Sequence, residues 1–244
     1  MGLDVYVGPL SRYYSGQWET ILQQLGRQSG LHVEVVRPTQ PKISPVSRLI
    51  GRLTGHRVPP DPATLVAKWW ATLCTHAPVG ALLMWNDSVD GEYFTDKPAW
   101  DCYGALVLRA AYDEAPPAQR LVAATDKWSK DPSYVNAIAN PASRYRHLIA
   151  NTELWLPVEF DPPFEAPMPV GDRAVIGSSV RLLSELRALN QNCWRASDGD
   201  IDGWRQEGAE YGAPLERSAM FGFAVFYTLA CKSTALQLPM KLDY

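Results

Sequence analysis

The chain has no close cysteine pair, no very long apolar run and no nucleotide-binding or nucleophile signature, and each absence narrows the functions open to it. Its four cysteines, Cys74, Cys102, Cys193 and Cys231, lie far apart, with no C-x-x-C pair and no histidine at metal-ligand spacing. They fit small buried hydrophobes in a reducing compartment better than a disulfide or zinc framework. The opening MGLDVYVGPL has no basic region before an apolar run, and Tyr6 stands where a myristoylation signal wants Ser or Thr, so neither signal is expected. The longest apolar run, Ala219 to Cys231, is shorter than the roughly 20 residues that span a bilayer. A cytoplasmic protein with no membrane partner is the expectation.

Catalytic signatures are equally scarce. No Walker loop occurs, and Gly8-Pro9 ends the first candidate strand without the helix-aimed glycines of a dinucleotide fold. Gly177-Ser178-Ser179 lacks the G-x-S-x-G elbow, while Cys74 and His76, two residues apart, face different ways on a helix. His32 and His147 each stand alone on amphipathic segments, the usual setting of a structural histidine. No catalytic residue and no cofactor are expected.

What is present is an ordinary globular composition. At 244 residues, with 46% hydrophobic and 20% charged side chains, the chain can bury a full core, roughly 70–75% of its unfolded surface. A net charge of −3 gives no general drive towards nucleic acid or an anionic membrane. Nine tryptophans point to a well-filled core or an aromatic surface. No repeat or Gly/Ser linker divides the chain, so residues 1–244 are expected to form a single domain.

Along that domain, Leu3 to Gly8 and Leu31 to Arg37 alternate as strands around a helix at Gln17 to Gln28, predicting a β-α-β opening with parallel strands. Further helices are expected from Asp61 to about His76, from a Thr95 or Asp96 cap to about Asp113, over Pro132 to Ala139 and Pro141 to Ala150, from a Ser178 or Ser179 cap to about Gln191, and from Leu215 to Gln237. LWLPVEF and FEAPMP read as strands, and LPMKLDY as a closing edge strand. The sum is an α+β fold: one helix-rich domain with a small mixed sheet.

Three segments carry charge patterns. The first, before the helix at Trp100, gathers Trp85, Asp87, Asp90, Glu92, Tyr93, Asp96, Trp100 and Asp101. Acids beside aromatics suit a protein-binding surface, and as paired carboxylates they would also suit a hydrolase of the glycosidase kind. The second is a Pro-rich insertion at about 38–60, free of acids and carrying Arg48, Arg52 and Arg57, in which Val46, Leu49, Ile50 and Leu53 fall on one helical face. It could meet an acidic partner; nucleic acid is not favoured.

The third is SDGDIDGWRQEGAEYG. Asp198, Asp200, Asp202 and Gly203 match positions 1, 3, 5 and 6 of a calcium loop, yet position 12 is Ala209, and Glu207 misses it by two residues. An aspartate capping a short helix is the favoured reading, leaving Asp198, Asp200, Asp202 and Glu207 as weak metal candidates.

The opening MGLDVYVGPLSRYYSGQW, the block FTDKPAWDCYGALVLRAAYDE, the run WLPVEFDPPFEAPMPVG and the ending KLDY together resemble a family of small cytosolic bacterial proteins with no assigned activity. In size and composition the chain is also similar to immunity proteins that neutralise toxins. That resemblance implies a non-catalytic protein that binds a protein partner, with the oligomeric state left open. Hydrolysis at residues 85–103 and calcium binding at 198–210 are the alternatives.

Overall fold

The computed structural model describes residues 3–34, 61–75, 85–115, 121, 123–125 and 127–244. Strands β1 (Asp4–Val7), β2 (Phe94–Asp96), β3 (Thr152–Leu156), β4 (Phe164–Pro167), β5 (Arg173–Ser178) and β6 (Met240–Asp243) form one mixed sheet in the order β2-β1-β6-β3-β5-β4. Nine α-helices accompany them among the described residues: α1 (Leu10–Ser15), α2 (Ile21–Gln28), α3 (Pro62–Leu73), α4 (Trp100–Glu114), α5 (Pro132–Ala139), α6 (Arg146–Ile149), α7 (Ser179–Cys193), α8 (Asp198–Glu207) and α9 (Leu215–Leu236). The α+β class is therefore what the chain adopts.

The sheet is buried on both faces, and the strand alternation sorts its side chains between two cores. Val5 and Val7 of β1, Met240 and Leu242 of β6 and Trp155 of β3 point to the larger core, where α4, α7 and α9 pack. Leu154 and Leu156 of β3 and Ile176 of β5 point the other way, against Leu10 of α1 and Val66, Trp69 and Leu73 of α3. Tyr6 of β1 turns to that same side and packs with Tyr13 and Trp18. Each such large side chain contributes about 1.5–3 kcal/mol when fully buried.

Helix α4 is apolar nearly all round, as a central helix should be. Helix α9 crosses it at Gly222, where a Cβ would come 2.4 Å from the Cys102 carbonyl oxygen, so only glycine permits that approach. The 22 residues of α9 are also long and apolar enough to cross a membrane by length and composition, with half of the apolar window buried within the fold.

Helix starts follow the expected chemistry in most places. Asp61 and Asp131 cap α3 and α5 with Pro62 and Pro132 just inside, and Ser178 caps α7 by accepting from the Arg181 N–H. Other expectations are corrected. Thr95 and Asp96 do not cap α4; they belong to β2, and α4 starts at Trp100 after Ala99 in a left-handed conformation with no side-chain cap. Residues 31–34 form no strand, and both neighbours of β1 are antiparallel, so no parallel pair opens the sheet. The parallel pair is β3 with β5. Strand β6 is not an edge: it lies between β1 and β3. The stretch GPLSRYYSG, whose Gly8-Pro9 ends β1, holds α1.

Candidate functional site

The acidic segment at residues 85–101 is held firmly, and its acids are dispersed by what they hold. The Asn86 side chain donates to the Leu236 carbonyl at 2.8 Å and its N–H to Gln237 at 2.9 Å, fastening the segment to the end of α9. Asp87 accepts from both the N–H and the hydroxyl of Ser11, supplying the cap that the first turn of α1 lacks on its own. The Tyr93 hydroxyl accepts from the Glu19 N–H at 3.1 Å, its ring stacks on Tyr6, and the Arg12 guanidinium lies 4.3 Å from its centre.

The remaining residues of the cluster scatter. Asp96 accepts from Arg205 Nε at 2.7 Å, reaching α8. Asp101 is buried in the first turn of α4, where its carboxylate accepts from the Cys102 N–H. Trp100 packs edge-on against Tyr103 and Tyr244, while Trp85 meets Trp69 and Trp70 on the opposite side of the sheet. Asp90 and Glu92 stay exposed. Glu92 lines a shallow cavity of about 220 Å³ with Pro9, Asn86 and Leu238, and it is the one carboxylate there. Glu92 and Asp96 both act on the charge of Lys232 in α9, whereas Asp87 and Asp101 are held by Ser11 and the Cys102 N–H. Arg48, Arg52 and Arg57 lie outside the described residues.

The 198–210 stretch is helical from its first aspartate. Ser197, rather than an aspartate, is the N-cap of α8, and it forms a capping box with Asp200, whose carboxylate accepts the Ser197 N–H at 2.8 Å. These hydrogen bonds lower the pKa of Asp200. On a helix, Asp198 and Asp202 share a side and Asp200 points away, so the three do not converge. Glu207 pairs with Arg217 at 2.5 Å, and Gly208 ends the helix. Among the described residues, no group of three or more His, Cys, Asp or Glu side chains is placed to hold a metal ion.

A second constellation lies where α6 meets α7, around a cavity of about 230 Å³. His147 is buried, with Nδ1 accepting from the Ser178 N–H at 2.9 Å and its ring edge-on to Phe160. Its Nε2 has no hydrogen-bond partner among the described residues and sits 3.6 Å from Asp161 Oδ1. Burial pushes the imidazole down to about 4, outweighing the Asp161 charge that raises it. Because Nδ1 accepts, the neutral ring carries its proton on Nε2.

Glu185 of α7 is buried beside it and accepts from the N–H groups of His147 and Leu148 at 2.9 and 3.0 Å. Burial pushes Glu185 up to about 8 despite those two hydrogen bonds. Arg144, Arg146 and Arg181 line the same cavity. Arg144 pairs with Asp113 at 2.9 Å and Arg181 reaches Glu159 at 3.5 Å, whereas Arg146 has no ion pair among the described residues. The expected solitary histidine is thus only half satisfied. The cavity residues are spread over two helices and two loops, and the one local sign of them is the run Arg144-Tyr145-Arg146-His147, with three basic side chains in four positions.

Comparison with known proteins finds no matching family model, no similar curated protein and no similar solved structure.

Proposed function

We propose that the chain is a non-catalytic interaction protein that binds a protein partner through the acidic ledge at Asp90 and Glu92. The supporting observation is the division of labour within residues 85–101. Asp87, Asp96 and Asp101 are tied to Ser11, Arg205 and the first turn of α4, while Asp90 and Glu92 remain exposed on a segment fastened at both ends. A preorganised ledge costs less ordering on binding, and two exposed acids beside Tyr93 suit a basic partner. The hydrolase reading needs two converging carboxylates, and the separate ties of Asp87, Asp96 and Asp101 favour the binding reading over it.

Four free cysteines suit action in a reducing compartment, in keeping with a cytoplasmic protein. The narrower assignment, an immunity protein that neutralises a toxin, rests on likeness of size and composition. The test is capture from the native host by tagged wild-type chain and by the double variant Asp90→Lys, Glu92→Lys. The expected outcome is a stoichiometric basic partner on the wild type that is absent from the folded double variant. Identical eluates from the two would reject the ledge as the binding surface.

A further inference from the structure

Two buried N–H donors without acceptors meet at the cavity between α6 and α7: His147 Nε2 and Arg181 Nε. Buried donors are nearly always paired, so two orphans on residues that line one cavity mark a place where an acceptor belongs. The proton on His147 Nε2 is fixed there, because the Ser178 N–H occupies Nδ1. This nitrogen can donate to an oxygen, and it offers no lone pair to a metal ion.

The charge around the cavity has the same sense. The guanidinium groups of Arg146 and Arg181 are permanently charged, and Arg146 is half-buried with no ion pair among the described residues. Glu185 has both oxygens engaged by backbone N–H groups and does not reach for a ligand. Asp161 is the remaining acid of the lining, with half of its side chain exposed at the rim, and Glu159 reaches Arg181 from outside it at 3.5 Å. At 3.6 Å the Asp161 carboxylate is too far from Nε2 for a hydrogen bond, yet it shows what these donors attract.

We infer that this cavity is a binding site for a small oxyanion, a phosphate or phosphomonoester group, held by Arg146, Arg181 and the Nε2–H of His147. Guanidinium groups match phosphate oxygens in pairs, and donors arriving from two helices suit a tetrahedral anion better than a flat one. The volume of about 230 Å³ accommodates a phosphate with a small organic remainder. The site is separate from the acidic ledge, which lies at the β1–β2 end of the sheet.

Calorimetric titration of the purified chain with inorganic phosphate, sulfate, phenyl phosphate and acetate tests the site. One saturable site for phosphate or sulfate is expected, with acetate clearly weaker; tighter phenyl phosphate than inorganic phosphate would assign a phosphomonoester, and the reverse order free phosphate. Arg146→Gln should weaken binding at least about tenfold, while Arg27→Gln, an equal loss of charge on exposed α2, should leave it unchanged. Asp161→Asn should tighten it, an effect that a purely structural role for these residues would not produce. Thermal melts establish that each variant is folded, and if Arg146→Gln fails to fold, Asp161→Asn decides. Absence of saturable binding by phosphate and sulfate, equal losses in the two arginine variants, or weaker binding in Asp161→Asn would each overturn the assignment.

Discussion

The acidic segment at 85–101 and the basic cavity at 143–188 are opposites in sequence and in space. In the first, the acids are neighbours along the chain and part company in the fold, because Asp87, Asp96 and Asp101 are each drawn to a different helix. In the second, residues up to 45 positions apart come together, because Glu185 of α7 accepts from two N–H groups in the first turn of α6. The lesson is one of accounting for hydrogen bonds. Three of the acids that look functional along the chain are already engaged by the fold, and two of the unsatisfied donors belong to a cavity where the chain shows only a solitary histidine.

Breaking the cavity should cost more than breaking the ledge. Glu185→Ala leaves two buried N–H groups without acceptors and a void behind α6, and we expect a loss of about 3 kcal/mol, read as a lower urea midpoint with an unchanged slope. A loss below about 1 kcal/mol would mean that water replaces the carboxylate easily.

Titration of the same pair should show next. Glu185 is raised from 4.5 to about 8 and His147 lowered from 6.5 to about 4. Between pH 4.5 and 6.5 unfolding releases the Glu185 proton and takes one up on His147, so the two contributions to the slope oppose and nearly cancel. From pH 6.5 towards 8 only Glu185 still differs: the native state keeps a proton that the unfolded chain has lost, and stability falls as pH rises. The steepest decline should approach roughly 1.4 kcal/mol per pH unit and vanish in Glu185→Gln, as followed by melting temperature against pH. A decline that persists in that variant would place its origin elsewhere.

The smallest effect belongs to the ledge. Asp87→Ala removes a cap from the short helix α1 and should cost about 1 kcal/mol, without altering phosphate binding at the cavity. Loss of phosphate binding in this variant would show that the two regions are coupled.

Much of the helical framework was legible in the sequence, because helices announce their ends locally. Pro132 to Ala139 was expected and is α5, and Ser178 caps α7 through a single short-range hydrogen bond. The sheet was less legible, since pairing is set by residues far apart. Val5 and Val7 alternate with Tyr6, yet all three are buried, so the pattern cannot tell an inner strand from an edge. Phe94–Asp96 is so short that Thr95 and Asp96 read as a helix cap, and Arg173–Ser178 gives no strand signal because it runs straight into the α7 cap. In the 198–210 stretch the helical reading holds in place, although Ser197 takes the capping position expected of an aspartate. The cavity was not legible at all, because an orphaned Nε2 exists only once Ser178 has claimed Nδ1 from 31 residues away.

The inner position of β6 bears on how the sheet is held together. Met240–Asp243 is the last of the described strands in the sequence, yet it alone joins β1 to β3. Without it the sheet would divide into a β2–β1 pair and a β3–β5–β4 trio, with the facing edges of β1 and β3 open to other chains. Met240–Asp243 closes both edges at once, so displacing this one strand would expose two pairing edges together.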